Sequence, residues 1–167
     1  HQLYSEDYIL FRHPANAQGH FGIVVGFAKK LPYAVASAGT ATPQTPHFFR
    51  DADFSLIYSD PRVLIVRVST AILKCIVVAG HAPHTGRSLS EIQEWWQALS
   101  AHVPSKYAGW PLVLLADANA SVGHDISAHI SDFQAGPQEQ KSEPFETFIC
   151  AHDLWLPSTF QEYQTGP

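Results

Sequence analysis

Residues 71–80 read AILKCIVVAG, and this stretch decides the fold class of the chain. It is apolar on both of the faces that a strand presents, which is typical of a strand in the middle of a sheet that is covered on both sides. Before it, residues 62–69 (RVLIVRVS) and 53–58 are strand candidates separated by Ser-Asp-Pro, and this arrangement predicts an antiparallel hairpin. After it, residues 111–116 (PLVLLA) predict another buried strand.

One face of the predicted strand 62–69 carries Val63, Ile65 and Arg67, and the other face carries Leu64, Val66 and Val68. Further upstream, residues 21–28 (FGIVVGFA) are rich in β-branched and aromatic residues and predict one more strand. The first twenty residues show only weak periodicity, and no strand is predicted there. The Ser-, Thr- and Pro-rich residues 37–47 predict a loop.

Two helices are predicted in the second half of the chain. Ser88 and Glu91 have the spacing of a capping box, in which a serine and a glutamate satisfy each other's backbone at a helix start. Apolar residues then recur at three- and four-residue steps: Leu89, Ile92, Trp95, Trp96, Leu99 and Val103. After a long loop over residues 121–142, Ser142 is predicted to cap a second helix whose apolar face holds Phe145, Phe148, Ile149 and Leu154. We expect the two tryptophans to pack in the core.

These elements predict an α/β fold in which helices pack against a buried sheet, in one domain over residues 1–167. Of the 167 residues, 46 % are hydrophobic and 15 % are charged, which favours a real core and argues against disorder. The apolar runs are too short to span a bilayer, so no membrane partner is expected. The net charge of −5, without a basic run, is unusual for a protein that binds nucleic acid through a basic face.

Two cysteines, Cys75 and Cys150, are interpreted as buried free thiols of an intracellular protein in a reducing compartment, with a single disulfide as the alternative. Methionine is absent from the chain, which begins at His1 and stops at Pro167 directly after a turn signal. We therefore expect the chain to be a domain truncated at both ends.

Polar segments follow two of the predicted strands, and strand ends are where sheet-based enzymes place reactive groups. We expect the strand near 112–116 to lie beside the strand near 74–79, so that His81 and Asp117 open onto the same sheet edge. One of these segments, residues 114–123 (LLADANASVG), contains Asp117 and Asn119, which point to the same side of an extended chain. The acid can hold a proton or a cation, and the amide can donate a hydrogen bond to a phosphate oxygen. The same residues are also good Asx-turn formers, so a purely local structural role stays open.

The other polar segment, residues 80–87 (GHAPHTGR), contains His81 and His84. Pro83 keeps this segment extended, so the two histidines are not a helical metal pair, and loop or surface roles are the plain interpretation. A serine nucleophile in a Gly-x-Ser-x-Gly elbow and a phosphate-cradling glycine loop are both absent from the sequence.

Together these segments resemble the endonuclease/exonuclease/phosphatase superfamily, above all the endonuclease domain that precedes the reverse transcriptase of LINE-type (non-LTR) retrotransposons. The matching elements are the segment His81-Ala82-Pro83-His84, the helix with Trp95-Trp96, the segment Ala116-Asp117-Ala118-Asn119-Ala120 with Gly123, and the later stretch with Phe145-x-x-Phe148, Leu154-x-Leu156-Pro157-Ser158-Thr159-Phe160 and Gly166-Pro167. Upstream, Gly22-Ile23-Val24 and Arg62-Val63-Leu64 resemble the family's early strands more loosely, so the resemblance covers about residues 19–167. The resemblance implies a β-sandwich flanked by helices, truncated at its N- and C-terminal ends.

The resemblance also implies a chemistry: Mg²⁺- or Mn²⁺-dependent hydrolysis of a DNA phosphodiester by activated water. Asp117 falls where the family orients or activates the water, and Asn119 where it holds a phosphate oxygen. His81 replaces an aromatic hydroxyl as the third catalytic residue. His84 replaces an asparagine as a substrate-binding residue, and Arg87 is placed to clamp the backbone or, equally, to lie solvated at the helix entry. A downstream reverse transcriptase domain and a nuclear location would follow.

The family's metal-binding glutamate and its terminal aspartate and histidine lie outside the matched segments, so the metal ligands are unknown. We therefore expect this chain to be inactive alone. Two alternatives stay open. The acidic charge favours a phosphatase or phospholipid phosphodiesterase of the same fold. The replacements at His81 and His84 favour a degenerate, non-catalytic binding module.

Overall fold

A computed structural model describes residues 2–34, 46–123, 127–133, 136–137 and 139–164. Most of the loop predicted at 37–47 lies outside the described residues. The chain divides into two compact units, residues 1–80 with 109–115, and residues 81–108 with 116–167.

A four-stranded sheet forms in the order β4 (Phe54–Ser59), β5 (Val63–Ser69), β6 (Lys74–His81) and β7 (Leu112–Asp117). The first three strands are antiparallel, which confirms the predicted hairpin. The strand β7 runs parallel to β6, because two backbone hydrogen bonds, from Ile76 N to Pro111 O and from Ala82 N to Asp117 O, join residues at the same separation along both strands. Six successive residues of β6 are buried, which confirms it as a central strand.

The predicted strand at residues 111–116 is present as β7, but the prediction that it is buried is wrong. In β7, half-buried and exposed residues alternate, and Val113 and Leu115 are 42 % and 53 % exposed. Among the described residues β7 pairs only with β6, so it is an edge strand. An apolar sequence shows that a strand can be buried, but only the position in the sheet decides whether a neighbour covers it.

A second, antiparallel sheet consists of β1 (Gln2–Tyr4), β2 (Tyr8–His13) and β3 (Ile23–Ala28). The strand predicted at residues 21–28 is confirmed, although it begins at Ile23 because Phe21 and Gly22 have positive φ angles of 66° and 99°. The sequence did not predict β1 and β2. Their weak pattern forms a sheet because β2 pairs along its whole length with β3, a contact between distant residues.

The two sheets pack face to face in the first unit. Their shared core is formed by Ile9, Phe11, Val25, Phe54, Leu64, Val66, Val68, Cys75, Val77 and Ala79. The predicted division of β5 is therefore correct, since Leu64, Val66 and Val68 all lie on the face that joins this core. Several aromatic rings meet in this core, and the ring centroids of Phe27 and Phe54 are 4.4 Å apart.

The second unit contains the two helices, α1 (Leu89–His102) and α2 (Glu143–Ala151). The predicted capping box at Ser88 and Glu91 is confirmed in both of its hydrogen bonds. Ser142 takes the N-cap position of α2 but makes no side-chain cap bond, and its hydroxyl is buried.

The helices pack through aromatic rings. Trp96 is 2 % exposed, and its ring lies 5.0 Å from the rings of Phe145 and Phe148. This confirms core packing for Trp96, whereas Trp95 is half-buried. The described parts of residues 121–142 contain neither helix nor strand, as predicted.

The cysteine prediction is correct for one residue. Both thiols are free and Cys75 is buried, but Cys150 is exposed because it lies on the outer face of α2, opposite Phe148 and Ile149. Burial raises the pKa of the Cys75 thiol.

No helix among the described residues has the length and apolar character needed to cross a membrane. The described residues thus form an α/β fold with two sheets and two α-helices.

Candidate functional site

His81 and Asp117 are the last residues of the neighbouring strands β6 and β7. Because these strands are parallel, their carboxyl ends lie at the same edge of the sheet, which confirms the placement expected from the sequence. Beyond the strands the two chain segments stay joined by the Ala82 N to Asp117 O hydrogen bond of 2.9 Å. Both side chains are exposed, and both residues are thus accessible at one edge.

Asn119 joins the two polar segments. Its Nδ2 donates to the carbonyl of Ala82 over 2.9 Å, across 37 positions of sequence. Its backbone has a φ of 46°, in the left-handed region that asparagine tolerates better than most residues. The structure thus uses this amide to hold the ends of β6 and β7 together, and one of its two N–H groups is committed to that contact.

Asp117 forms the Asx turn that the sequence left open, because its Oδ1 accepts a hydrogen bond of 3.1 Å from the backbone N–H of Asn119. The turn fixes the carboxylate at the strand end and uses one oxygen. A carboxylate has two oxygens with several acceptor positions, so Oδ2 can still accept a hydrogen bond from water. The local structural role and a chemical role are therefore compatible at this residue.

His84 is exposed, and its ring is fixed by the loop that follows it. The backbone N–H of Gly86 donates to His84 Nδ1 over 3.0 Å. A neutral imidazole that accepts at Nδ1 carries its proton on Nε2, which makes Nε2 a hydrogen-bond donor. A Cβ at position 86 would lie 2.7 Å from the ring carbon Cε1 of His84, so a side chain there would displace the ring from this position.

Arg87 lies at the entry of α1 and is about half exposed. Its Nη1 is 3.7 Å from Oε1 of Glu91, one turn along the helix. The backbone N–H and hydroxyl of Ser88 donate to Glu91, and these bonds, with smaller contributions from Arg87 and His84, lower the pKa of Glu91. An exposed ion pair of this length contributes little, about 0–1 kcal/mol, so the arginine is free to exchange partners.

Lys141 belongs to this group although no sequence pattern indicated it. Its Nζ donates to the carbonyl oxygens of Thr85 and Arg87, over 2.5 and 2.9 Å. More than fifty residues separate it from that loop, and it belongs to no motif. Only the chain path that brings residues 139–142 back to the start of α1 reveals it.

A divalent metal, the cofactor that the resemblance implies, does not fit the described residues. They contain no group of three histidine, cysteine, aspartate or glutamate side chains that could hold a metal ion. Asp117 is one oxygen ligand, whereas Mg²⁺ takes octahedral oxygen coordination, usually with one or two carboxylates as well as water and substrate phosphate. The ends of β6 and β7 therefore offer donors and one carboxylate, but no complete metal centre.

Comparison with known proteins gives no family: no protein-family model matches the chain, and no curated protein matches it.

Proposed function

We propose that the chain is part of a phosphodiester-cleaving endonuclease of the endonuclease/exonuclease/phosphatase fold, and that the ends of β6 and β7 bind the DNA backbone. The observation that carries this proposal is the junction of the two strand ends through Asn119 and Ala82. It supports the proposal because it fixes an acid, Asp117, at the same sheet edge as the exposed donors His81 and His84. A phosphodiester needs donors for its oxygens and an acceptor that positions the attacking water.

Within this proposal Asp117 orients a water through Oδ2, and the donor at His84 Nε2 holds a phosphate oxygen. His81 and Arg87 supply further donors to the backbone. Arg87 leaves Glu91 when the arginine binds phosphate, and little free energy is lost because the exposed Arg87–Glu91 pair is weak. The Mg²⁺ or Mn²⁺ that the resemblance implies has no complete ligand set here, so we expect this chain to bind DNA without cutting it.

Binding is tested by fluorescence anisotropy with a fluorescein-labelled DNA duplex and the same strand unpaired. The test variant is Arg87→Gln. Arg50→Gln, in the other unit, is the matched control, since it also removes one exposed arginine. We expect weaker binding for the first variant and unchanged binding for the control. If the wild-type chain binds neither DNA form, the proposal is refuted.

Catalysis is tested separately by nicking of supercoiled plasmid with Mg²⁺. The chain should show no activity above background. In a protein that adds the missing metal ligands, Asp117→Asn should reduce nicking by about 10²–10⁴-fold, the usual contribution of a positioned acid or base. Equal nicking by that protein and its Asp117→Asn variant would remove Asp117 from the mechanism.

A second candidate function is a non-catalytic binding module, and the absence of a three-ligand metal group among the described residues favours it. A phospholipid or inositol phosphate ligand is the third, favoured by the net charge of −5. Competition by inositol hexakisphosphate, and by vesicles with and without phosphatidylinositol phosphate, distinguishes these ligands from DNA. Displacement of DNA only by the vesicles that contain the phosphoinositide would favour the lipid.

A further inference from the structure

The ammonium group of Lys141 is held by the loop that carries His84 and Arg87. Two of its contacts are backbone carbonyls, Thr85 O at 2.5 Å and Arg87 O at 2.9 Å. A lysine ammonium has three N–H donors, so these contacts leave one donor for an acceptor outside the loop. The lysine thus both shapes the loop and presents a fixed positive charge beside it.

The charges around this loop differ in how well they are compensated. Arg87 has Glu91 3.7 Å away. Glu139 and Glu143 flank Lys141 in the sequence, but within the described residues no ion pair or hydrogen bond joins either of them to it. Lys141 bonds to carbonyl oxygens, which are neutral acceptors. Its full charge therefore remains available to an anion, which matters in a chain whose net charge is −5.

We propose that Lys141 is a binding residue for the DNA backbone, in contact with one phosphate next to those held by His84 and Arg87. This inference rests on the proposed function. A carbonyl-bound ammonium is already ordered, so less side-chain entropy is lost when a phosphate binds to it. The phosphate takes the third donor while the first two keep the loop in place. The conformation of the loop and the phosphate contact therefore both depend on the side chain of Lys141.

The test is the salt dependence of DNA binding, because a structural tether and a phosphate contact affect it differently. Each neutralised phosphate of duplex DNA contributes about 0.9 to the slope of log affinity against log salt concentration. The fluorescein-labelled duplex is titrated with the wild-type chain, Lys141→Gln, Lys141→Arg and Lys106→Gln. Glutamine removes the charge but keeps N–H donors for the carbonyls, arginine keeps the charge, and Lys106 is an exposed lysine of the same unit.

We expect Lys141→Gln to bind more weakly with a slope reduced by about 0.9, the value for one lost phosphate contact. Lys141→Arg and Lys106→Gln should keep the wild-type slope. A measurement without variants guards against misfolding of Lys141→Gln. In the wild-type chain, bound duplex should protect Lys141, but not Lys106, from acetylation by an N-hydroxysuccinimide ester, read by mass spectrometry.

Two outcomes overturn the inference, and they can be told apart. If the wild-type chain binds DNA, but Lys141→Gln keeps its slope and Lys141 is acetylated equally with and without DNA, then Lys141 is only a tether and the proposed function stands. If the wild-type chain does not bind the duplex at all, the proposed function fails and the role of Lys141 fails with it.

Discussion

Replacement of Asn119 by alanine should destabilise the second unit by about 2 kcal/mol, and the structure divides this loss into two parts. The first is the hydrogen bond of 2.9 Å to the partly buried carbonyl of Ala82, which contributes about 1 kcal/mol. The second is the backbone φ of 46°, where alanine costs about 1 kcal/mol more than asparagine. Asn119→Gly removes only the hydrogen bond, because glycine adopts this φ without a steric penalty, and it should cost about 1 kcal/mol.

The two variants are compared with the wild-type chain by urea and thermal unfolding followed by circular dichroism. For a chain of this size each kcal/mol shifts the Tm by about 2–4 °C, so we expect losses of about 4–8 °C for Asn119→Ala and 2–4 °C for Asn119→Gly. Wild-type stability in both variants would refute the argument that Asn119 joins the strand ends. Equal losses would show that the positive φ carries no cost for alanine.

Two further predictions concern the capping box of α1 and a hydrogen-bonded tyrosine. Ser88→Ala should lower the stability of the chain by about 1 kcal/mol, measured by urea unfolding, because it removes the hydroxyl that accepts from Glu91 N; Ser88→Thr, which keeps the hydroxyl, is the control. Burial and the hydrogen bond to Asp60 raise the pKa of Tyr58 from 10.0 to about 12. The stability that Tyr58 contributes is therefore complete below about pH 10 and is lost as the pH rises through 12, and ultraviolet titration should show a tyrosinate step near pH 12 that is absent from Tyr58→Phe.

Each of these has a result that contradicts it. For the capping box, it is an unfolding midpoint of Ser88→Ala that equals that of the wild-type chain. For the tyrosine, it is a titration in which wild type and Tyr58→Phe differ by a step at the ordinary tyrosine value of about 10.

Local sequence patterns predicted those parts of the fold that depend on local physics. The burial of β6 follows from apolar residues on both of its faces, and the capping box at Ser88 and Glu91 follows from a spacing that needs one helical turn. The adjacency of His81 and Asp117 was also predicted, because two apolar strands that end in polar loops favour one sheet edge.

Other features depended on contacts between residues far apart in sequence. Strand β2 forms because β3 pairs with it, and β7, whose residues alternate between half-buried and exposed, is an edge strand among the described residues. Neither sheet position is encoded in the few residues of the strand itself.

At the candidate site the sequence alone determined which residues are candidates: Asp117, Asn119 and the histidines at the strand ends. Only the tertiary structure decided how they are used. In the tertiary structure the Asn119 amide donates to the carbonyl of Ala82, His84 Nδ1 accepts from the backbone N–H of Gly86, and Lys141 donates to the loop that contains Arg87. The physical reason is that hydrogen bonds and charges act over a few ångströms of space, and sequence distance does not measure that separation.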